Sequence, residues 1–415
     1  MKNGWRTKKI GDVCQLMTGG TPSRASKGNF DGNIPWLVSG DIHQGEIFEC
    51  EGRISDAGMK ASNAKLLPIN SVMIALNGQG KTRGTVALLR SPATCNQSLV
   101  SIHPKNPDEL MPEFLYANLH GRYQEIRQMT GDSGNDRRGL NMNLIRSIEI
   151  PIAPLPEQKR IVAILDEAFE GIATAKANAE KNLQNARAIF ESHLEGTYSQ
   201  RGPGWVETKL GTLFEIGSSK RIYEKDWTNS GVPFYGGREL VKLAKHGTVI
   251  SNVYISNEKF TEYSRKYDMP KKGDLLITAR GTIGIGFVVQ DDERFYYKDG
   301  NVISLRPIAP LNPFFFLYSF QAMHSTDQFG GLTGATVRHL SLEKAKQLSL
   351  YVPNHETQNL VVKQIGSVKA ECHRLVKIYE QKLAKLDALK SSLLHRAFAG
   401  ELTANRISEL IEVVA

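Results

Sequence analysis

Cysteine is scarce, with four residues in 415, at Cys14, Cys50, Cys95 and Cys372. Their wide spacing excludes a zinc knuckle and a disulfide framework, and it fits a reducing compartment. No run of about 20 apolar residues occurs, which excludes a membrane-spanning helix. The opening MKNGWRTKKIGDV lacks the apolar core of a signal peptide, so a cytoplasmic protein with no membrane partner is expected. Catalytic signatures are missing as well. The ten histidines include no HExxH and no paired ligand spacing, there is no GxSxG elbow, and no two acids form a defensible acid/base couple. No catalytic residue, cofactor or metal is therefore expected in this chain, which reads as a binder.

Two stretches come near to chemistry and fall short. Asn312-Pro313-Phe314-Phe315 approaches the Asn-Pro-Pro-aromatic loop of amino methyltransferases but lacks its second proline. No glycine-rich strand-to-helix turn stands upstream to bind a methyl donor, so a proline-initiated helix NPFFFLYSFQ is expected. The other stretch, VMIALNGQGKTRGTVALL at 72 to 89, holds Ala75-x-x-x-x-Gly80-Lys81-Thr82, one residue type away from a phosphate-cradling loop. Such a loop must lead into a helix N-terminus. Here Arg83 to Leu89 is β-branched and apolar, which predicts a second strand. A DNA-modifying enzyme or a nucleotide hydrolase using residues 75–82 is kept as the alternative reading.

What is present is charge and repetition. The formal net charge is +9. Residues 1–155 carry 18 Lys/Arg against 14 Asp/Glu and residues 201–353 carry 20 against 15, so most of the surplus sits in two long stretches. An anionic partner such as nucleic acid fits that distribution. The two halves of the chain also match at an offset of 200. Trp5 falls on Trp205, Gly134, Arg138 and Leu140 on Gly334, Arg338 and Leu340, and Gln158, Ile161 and Val162 on Gln358, Val361 and Val362. Between these anchors the register drifts by a few residues, as expected of loops of different length on a shared scaffold. DLLITARGTIGIGFVV at 274–289 answers the 72–89 stretch with the same strand, loop and strand and a shared Arg-Gly-Thr, yet has no GKT. The repeat manages without the lysine, so a hairpin turn is expected at both places.

Each half runs from short strands punctuated by Gly and Pro to a long segment almost free of both, Glu157–Glu195 and then His355–Ala399. Apolar residues recur in steps of three and four: Ile161, Leu165, Ala168, Ile172, Ala175, Ala179, Leu183, Ala186, Ile189 and His193 in the first. The second has Ile365, Val368, Cys372, Leu375, Tyr379, Leu383, Leu386, Leu389 and Leu393. Each stripe predicts a helix of roughly 50 to 60 Å, which needs a partner along its length, and an antiparallel pairing of the two is expected.

The remaining chemistry lies in loops that set glycine beside cations or amides. These carry Arg24 and Lys27, Lys81 and Arg83, Arg137 and Arg138, Lys220 and Arg221, Arg280, and Arg338 with His339. Glycine lets backbone approach phosphate while guanidinium and amide groups read base edges, so these eleven residues are the candidate DNA contacts.

KIGDVCQLMTGGTPSRASKGNFDGNIPWLVSGDI, NMNLIRSIEIPIAPLPEQKRIVAILD, GDLLITARGTIGIGFVV and LLHRAFAGEL resemble the specificity subunit of type I restriction-modification enzymes. The resemblance covers essentially the whole chain. It implies an α+β architecture of two tandem mainly-β target recognition domains, residues 1–155 and 201–353. Each would be followed by a conserved spacer helix, 156–200 and 354–415 with the C-terminal tail, and the helices would pack as an antiparallel coiled coil with pseudo-two-fold symmetry. Each domain would read one part of a bipartite, asymmetric double-stranded DNA target. Partner chains would do the chemistry: two modification subunits using S-adenosylmethionine, and restriction subunits using ATP and Mg.

Overall fold

The computed structural model describes residues 4–26, 28–78, 80–130, 139–290, 294–325 and 339–402. Two compact units divide it, residues 1–180 with 381–415 and residues 181–380. The division falls inside both long helices. Among the described residues no helix is long and apolar enough to cross a membrane.

In the first unit a five-stranded sheet has the order Cys14–Thr18, Leu99–Pro104, Val72–Ala75, Val86–Leu89, Glu46–Ile47. Its pairings are antiparallel except the last, where Glu46 faces Leu88 in parallel. Every residue of Val72–Ala75 and Val86–Leu89 is buried, because alternate side chains enter two different cores. Val72, Ile74, Val86 and Leu88 face a core that includes Phe114 and Leu115 from the helix Pro112–Gly121. Met73, Ala75, Ala87 and Leu89 meet Leu37, Ile42 and Cys95 on the other side. A separate ribbon pairs Arg6–Lys9 with Glu149–Ile152, Arg6 opposite Ile152.

The second unit repeats this plan. Its ribbon pairs Val206–Lys209 with Ser349–Val352, Val206 opposite Val352, so the same register recurs 200 residues on. One four-stranded sheet runs Phe214–Gly217, Val302–Pro307, Leu275–Thr278, Gly286–Val288. The expected proline-initiated helix spans Pro313–Ser325, with Phe315, Phe316 and Phe320 fully buried. Where the first unit has only the short turn Asp41–Gln44, the second has a ten-residue helix, Gly237–His246. That is the register drift seen in the sequence.

The long helices are Leu155–Gln200 and His355–Phe398. Inside the first unit they run antiparallel: Lys176 pairs with Asp387 at 2.6 Å, the Lys390 ammonium lies over the Phe169 ring, and Arg160 donates to the Leu402 carbonyl at 3.2 Å. Inside the second unit Arg187 pairs with Glu380 at 3.2 Å, while Leu194 shares a core with Val361 and Ile365. These ion pairs are exposed and worth at most about 1 kcal/mol each. The apolar stripe does the larger work, but it does not serve the helix pair alone. Ile161, Leu165, Ala168 and Ile172 join Leu386, Leu389 and Leu393 in the same core as the sheet and Phe114. Each helix therefore packs on its partner and on a β domain at once. The stripe departs from expectation near the end of the first helix, where Ile189 is 51% exposed and Leu194 is buried in place of His193. There the contact face shifts to Phe190, Leu194 and Tyr198, spaced four apart, and Tyr198 donates to the Phe315 carbonyl at 2.6 Å.

Both helices begin with a buried glutamine. The Gln158 amide nitrogen donates to the Ala153 and Glu109 carbonyls, both at 2.8 Å, and its oxygen accepts from the Met111 amide at 2.9 Å. Gln358 donates to the Pro353 carbonyl at 3.0 Å and accepts from the Asn312 amide at 2.9 Å. Each thereby ties the start of a long helix to the loop ahead of the helix at 112 or 313. The copies differ next to it: Glu157 accepts from the Trp5 indole at 3.0 Å, whereas Thr357 is capped by Asn354.

Candidate nucleic-acid interface

The turn from Leu76 to Thr85 joins two antiparallel strands, Val72 opposite Leu88, and leads into the strand Val86–Leu89. No helix N-terminus follows Gly80-Lys81-Thr82, so residues 75–82 do not form a phosphate-binding loop. Its repeat counterpart is likewise a hairpin, Leu275 opposite Val288. The first turn is braced from outside. Tyr123 donates to the Lys81 carbonyl at 3.1 Å, Arg127 donates to the Gly80 carbonyl, and His43 Nε2 lies 3.0 Å from the Thr82 hydroxyl. Gly84 adopts a φ of +83°, the left-handed region that glycine tolerates best, and its amide returns to the Ala75 carbonyl at 2.9 Å.

This bracing separates the two cations of the turn. Lys81 is exposed, whereas Arg83 is only 8% exposed. Lys81 is therefore the more exposed cation of this turn among the described residues. Arg24 is exposed in a loop tied down by the Thr21 to Gln97 side-chain bond at 2.6 Å.

In each unit the chain returns to the mouth of this hairpin. The Leu140 amide donates to the Leu76 carbonyl at 3.0 Å, and the Leu340 amide donates to the Ala279 carbonyl at 2.8 Å. The repeat pair Leu140 and Leu340 thus does one job twice. In the second unit this sets His339 beside Arg280 as a bridged pair, both exposed. Lys27, Arg137, Arg138 and Arg338 lie outside the described residues.

Lys220 and Arg221 follow the strand Phe214–Gly217 and are pinned by tyrosines: Tyr296 donates to the Lys220 carbonyl at 2.8 Å and Tyr263 to the Arg221 carbonyl at 3.3 Å. Both side chains are exposed, but Arg221 is paired with Asp299 at 2.9 Å, and that bond raises its pKa. Across the turn that carries Asp299, the second unit opens a cleft of about 470 Å³, with Trp227, Arg238, Arg280 and Lys298 in its walls. Of these cleft residues, the basic glycine loops named from the sequence include Arg280 but not Arg238 or Lys298. The signal was there, since Gly236-Gly237-Arg238 and Lys298-Asp299-Gly300 meet the same criterion. Tyr123, Arg127 and His43 carried no such signal, because they act through contacts about 40 residues away in the chain.

The type I restriction modification DNA specificity domain matches this sequence twice, over residues 2–184 and 203–385. The chain belongs to that family. Specificity-domain relatives align along one half or along the whole chain. A putative type I restriction enzyme specificity subunit of Haemophilus influenzae is 32% identical over 235 residues, 55% of this chain and 58% of that protein. The type I restriction enzyme MjaIX specificity subunit of Methanocaldococcus jannaschii is 22% identical over 98% of this chain and 94% of its own length. Among solved structures, the HsdS subunit from Thermoanaerobacter tengcongensis matches with a TM-score of 0.64 at 19% identity, covering 97% of this chain and 98% of that one. A chain from a type I R-M system, solved for its complex assembly and conformational transition, matches with a TM-score of 0.76 at 19% identity, covering 97% and 99%. The two structural likenesses bear on the fold, and the double family match agrees with the repeated ribbon, hairpin and helix.

Proposed function

We propose that this chain is the DNA-reading subunit of a type I restriction-modification complex, with no catalytic residue of its own. The observation that carries the reading is the twofold use of one specificity domain, with the same ribbon register, hairpin mouth and glutamine latch in both copies. Residues 1–155 and 201–353 are then two target recognition domains, each reading one part of a bipartite DNA sequence, and 156–200 and 354–415 are the spacer helices. Different loop content on a common frame gives each domain a different half-site. Half-sites one turn apart are separated by ~34 Å, which suits a rigid helical spacer.

Candidate contacts divide by chemistry. Lys81, Lys220 and Arg24 are exposed cations suited to phosphates, whereas Arg280 with His339 stands at a hairpin mouth suited to base edges. Lys27, Arg137, Arg138 and Arg338 join them from the corresponding basic loops of the sequence, and Arg83 and Arg221 support their loops. Methyl transfer with S-adenosylmethionine belongs to two modification subunits, and ATP- and Mg-dependent cleavage to restriction subunits, all in the cytoplasm.

Mixing experiments test this. The purified chain together with its methyltransferase partner should methylate duplex DNA at a two-part sequence, and neither should do so alone. Methyl transfer by this chain without its partner would refute the proposal.

A further inference from the structure

The cleft in the second unit is built differently from the solvated loops around it. Its walls carry three cations, Arg238, Arg280 and Lys298, and among the described residues none of the three has a carboxylate partner. The one carboxylate in the lining, Glu239, is turned back to accept from the Gly236 amide at 2.9 Å, where it caps the helix Gly237–His246. Among the described residues, three positive charges thus face a concave, solvent-open space against a single lining carboxylate, which is engaged by the Gly236 amide. Keeping like charges together has a cost, and a site that accepts an anion relieves it.

The three are not equivalent. Lys298 lies over the Trp227 ring, 5.3 Å from its centroid, as a point charge on a flexible stem. Arg238 is exposed in the first turn of a ten-residue helix whose N-terminus is already capped by the Glu239 carboxylate. Arg280 is rooted more firmly than either. Ala279 donates to Asn301 and accepts from Leu340, both at 2.8 Å, and Arg280 itself is bridged to His339. Gly281 follows at a φ of +77°, which turns the chain sharply away just after the arginine. A guanidinium fork whose backbone is clamped on both sides is placed for a recognition that depends on angle, while the other two cations need only proximity.

We propose that this cleft is the base-reading centre of the second recognition domain, with Arg280 specifying a guanine and Lys298 and Arg238 holding the adjoining phosphates. This rests on the DNA-reading function proposed above. Guanine is the base whose major-groove edge offers two acceptors, O6 and N7, matched to an arginine fork. No other base presents that pair of acceptors on its major-groove edge, and a lysine at position 280 would reach them without the rigid fork.

The experiment uses the full chain assembled with its modification subunits, which selects from a pool of randomised duplex DNA. Wild type should enrich a two-part motif; if it enriches none, the DNA-reading function itself fails and the cleft is not at issue. With Arg280→Ala, one half of the motif should persist unchanged, showing that the complex is assembled and folded. In the other half one G·C position should lose its preference, by roughly 5- to 150-fold, the worth of one bidentate arginine–guanine pair. Arg280→Lys should keep overall affinity and retain only part of that preference, since an ammonium reaches O6 and N7 without the rigid fork. Lys298→Ala should weaken binding alike for all sequences and reduce the salt slope by about one. The assignment is overturned if both half-motifs survive Arg280→Ala intact, if the position lost is an A·T pair, or if both half-motifs vanish together. An unaltered salt slope for Lys298→Ala would remove the phosphate contact.

Discussion

Replacing Gln158 with leucine keeps the volume and removes the latch at the start of the first long helix. Three hydrogen bonds go with it. The bond to the Ala153 carbonyl is fully buried, so that acceptor is left unpaired in the interior at a cost of about 1–3 kcal/mol. The Glu109 and Met111 ends are partly buried, and water can replace part of what is lost, leaving about 0.5–1 kcal/mol each. The expected penalty is therefore about 2–5 kcal/mol, a large share of the ~5–15 kcal/mol that stabilises a typical domain. Gln358→Leu breaks one buried and one partly buried bond and should cost about 1 kcal/mol less. The assay is denaturant unfolding followed by tryptophan fluorescence, since Trp5 and Trp36 report on the first unit and Trp205 and Trp227 on the second. Hydrogen exchange at the Met111 amide supplies a local readout. If Gln158→Leu unfolds within 0.5 kcal/mol of wild type, a threshold set by the scatter of ordinary surface substitutions, and Met111 keeps its protection, the latch does not hold the helix start.

Other perturbations follow from the same contacts. Leu389→Ala empties a buried position facing the first helix and the sheet core, and should cost about 2–5 kcal/mol in the unfolding of the first unit; a change below 1 kcal/mol would mean the helices are not packed there. Burial, and then the Lys390 ammonium, hold the His120 pKa below the ordinary histidine value. The unfolded chain binds that proton more readily than the folded one, so this contribution to stability is present above about pH 6.5 and is lost as pH falls below it toward the folded pKa. Wild type should thus lose more stability than His120→Gln between pH 7 and 5.5, and parallel losses would contradict the assignment. All four cysteines are buried, with Cys14 and Cys95 pushed up to about 12 by burial. A thiol reagent at pH 8 should label none of them in the native chain and all four in denaturant; rapid native labelling would show that the cores open.

The long helices were legible because their signal is local: a stripe at steps of three and four, unbroken by proline. The first helix runs through Gly196 to Gln200, and near its end Tyr198 donates to the Phe315 carbonyl and packs edge-on against Trp205. The turn at 76–85 was read as a hairpin because its partner strand follows at once. The parallel pairings were out of reach, since Trp36–Leu37 meets Thr94–Cys95 and Glu46–Ile47 meets Leu88–Leu89 only through the whole fold. Site residues show the same divide. Charge and neighbouring glycine marked Arg83 and Arg221, but burial of the first and the pairing of the second with Asp299, 78 residues on, are tertiary facts. The matched glutamines at 158 and 358 were visible as a repeat, and only the structure shows that each ties a helix to a loop.

The most direct test of the central claim is to map methylated bases in DNA from cells carrying this chain with its partner subunits. The account predicts methylation at one asymmetric motif of two specified parts separated by a fixed unspecified spacer. It also predicts that an exchange of residues 201–353 for those of a relative changes one part and leaves the other. Methylation at a single continuous motif, or at sites indifferent to the exchange, would contradict it.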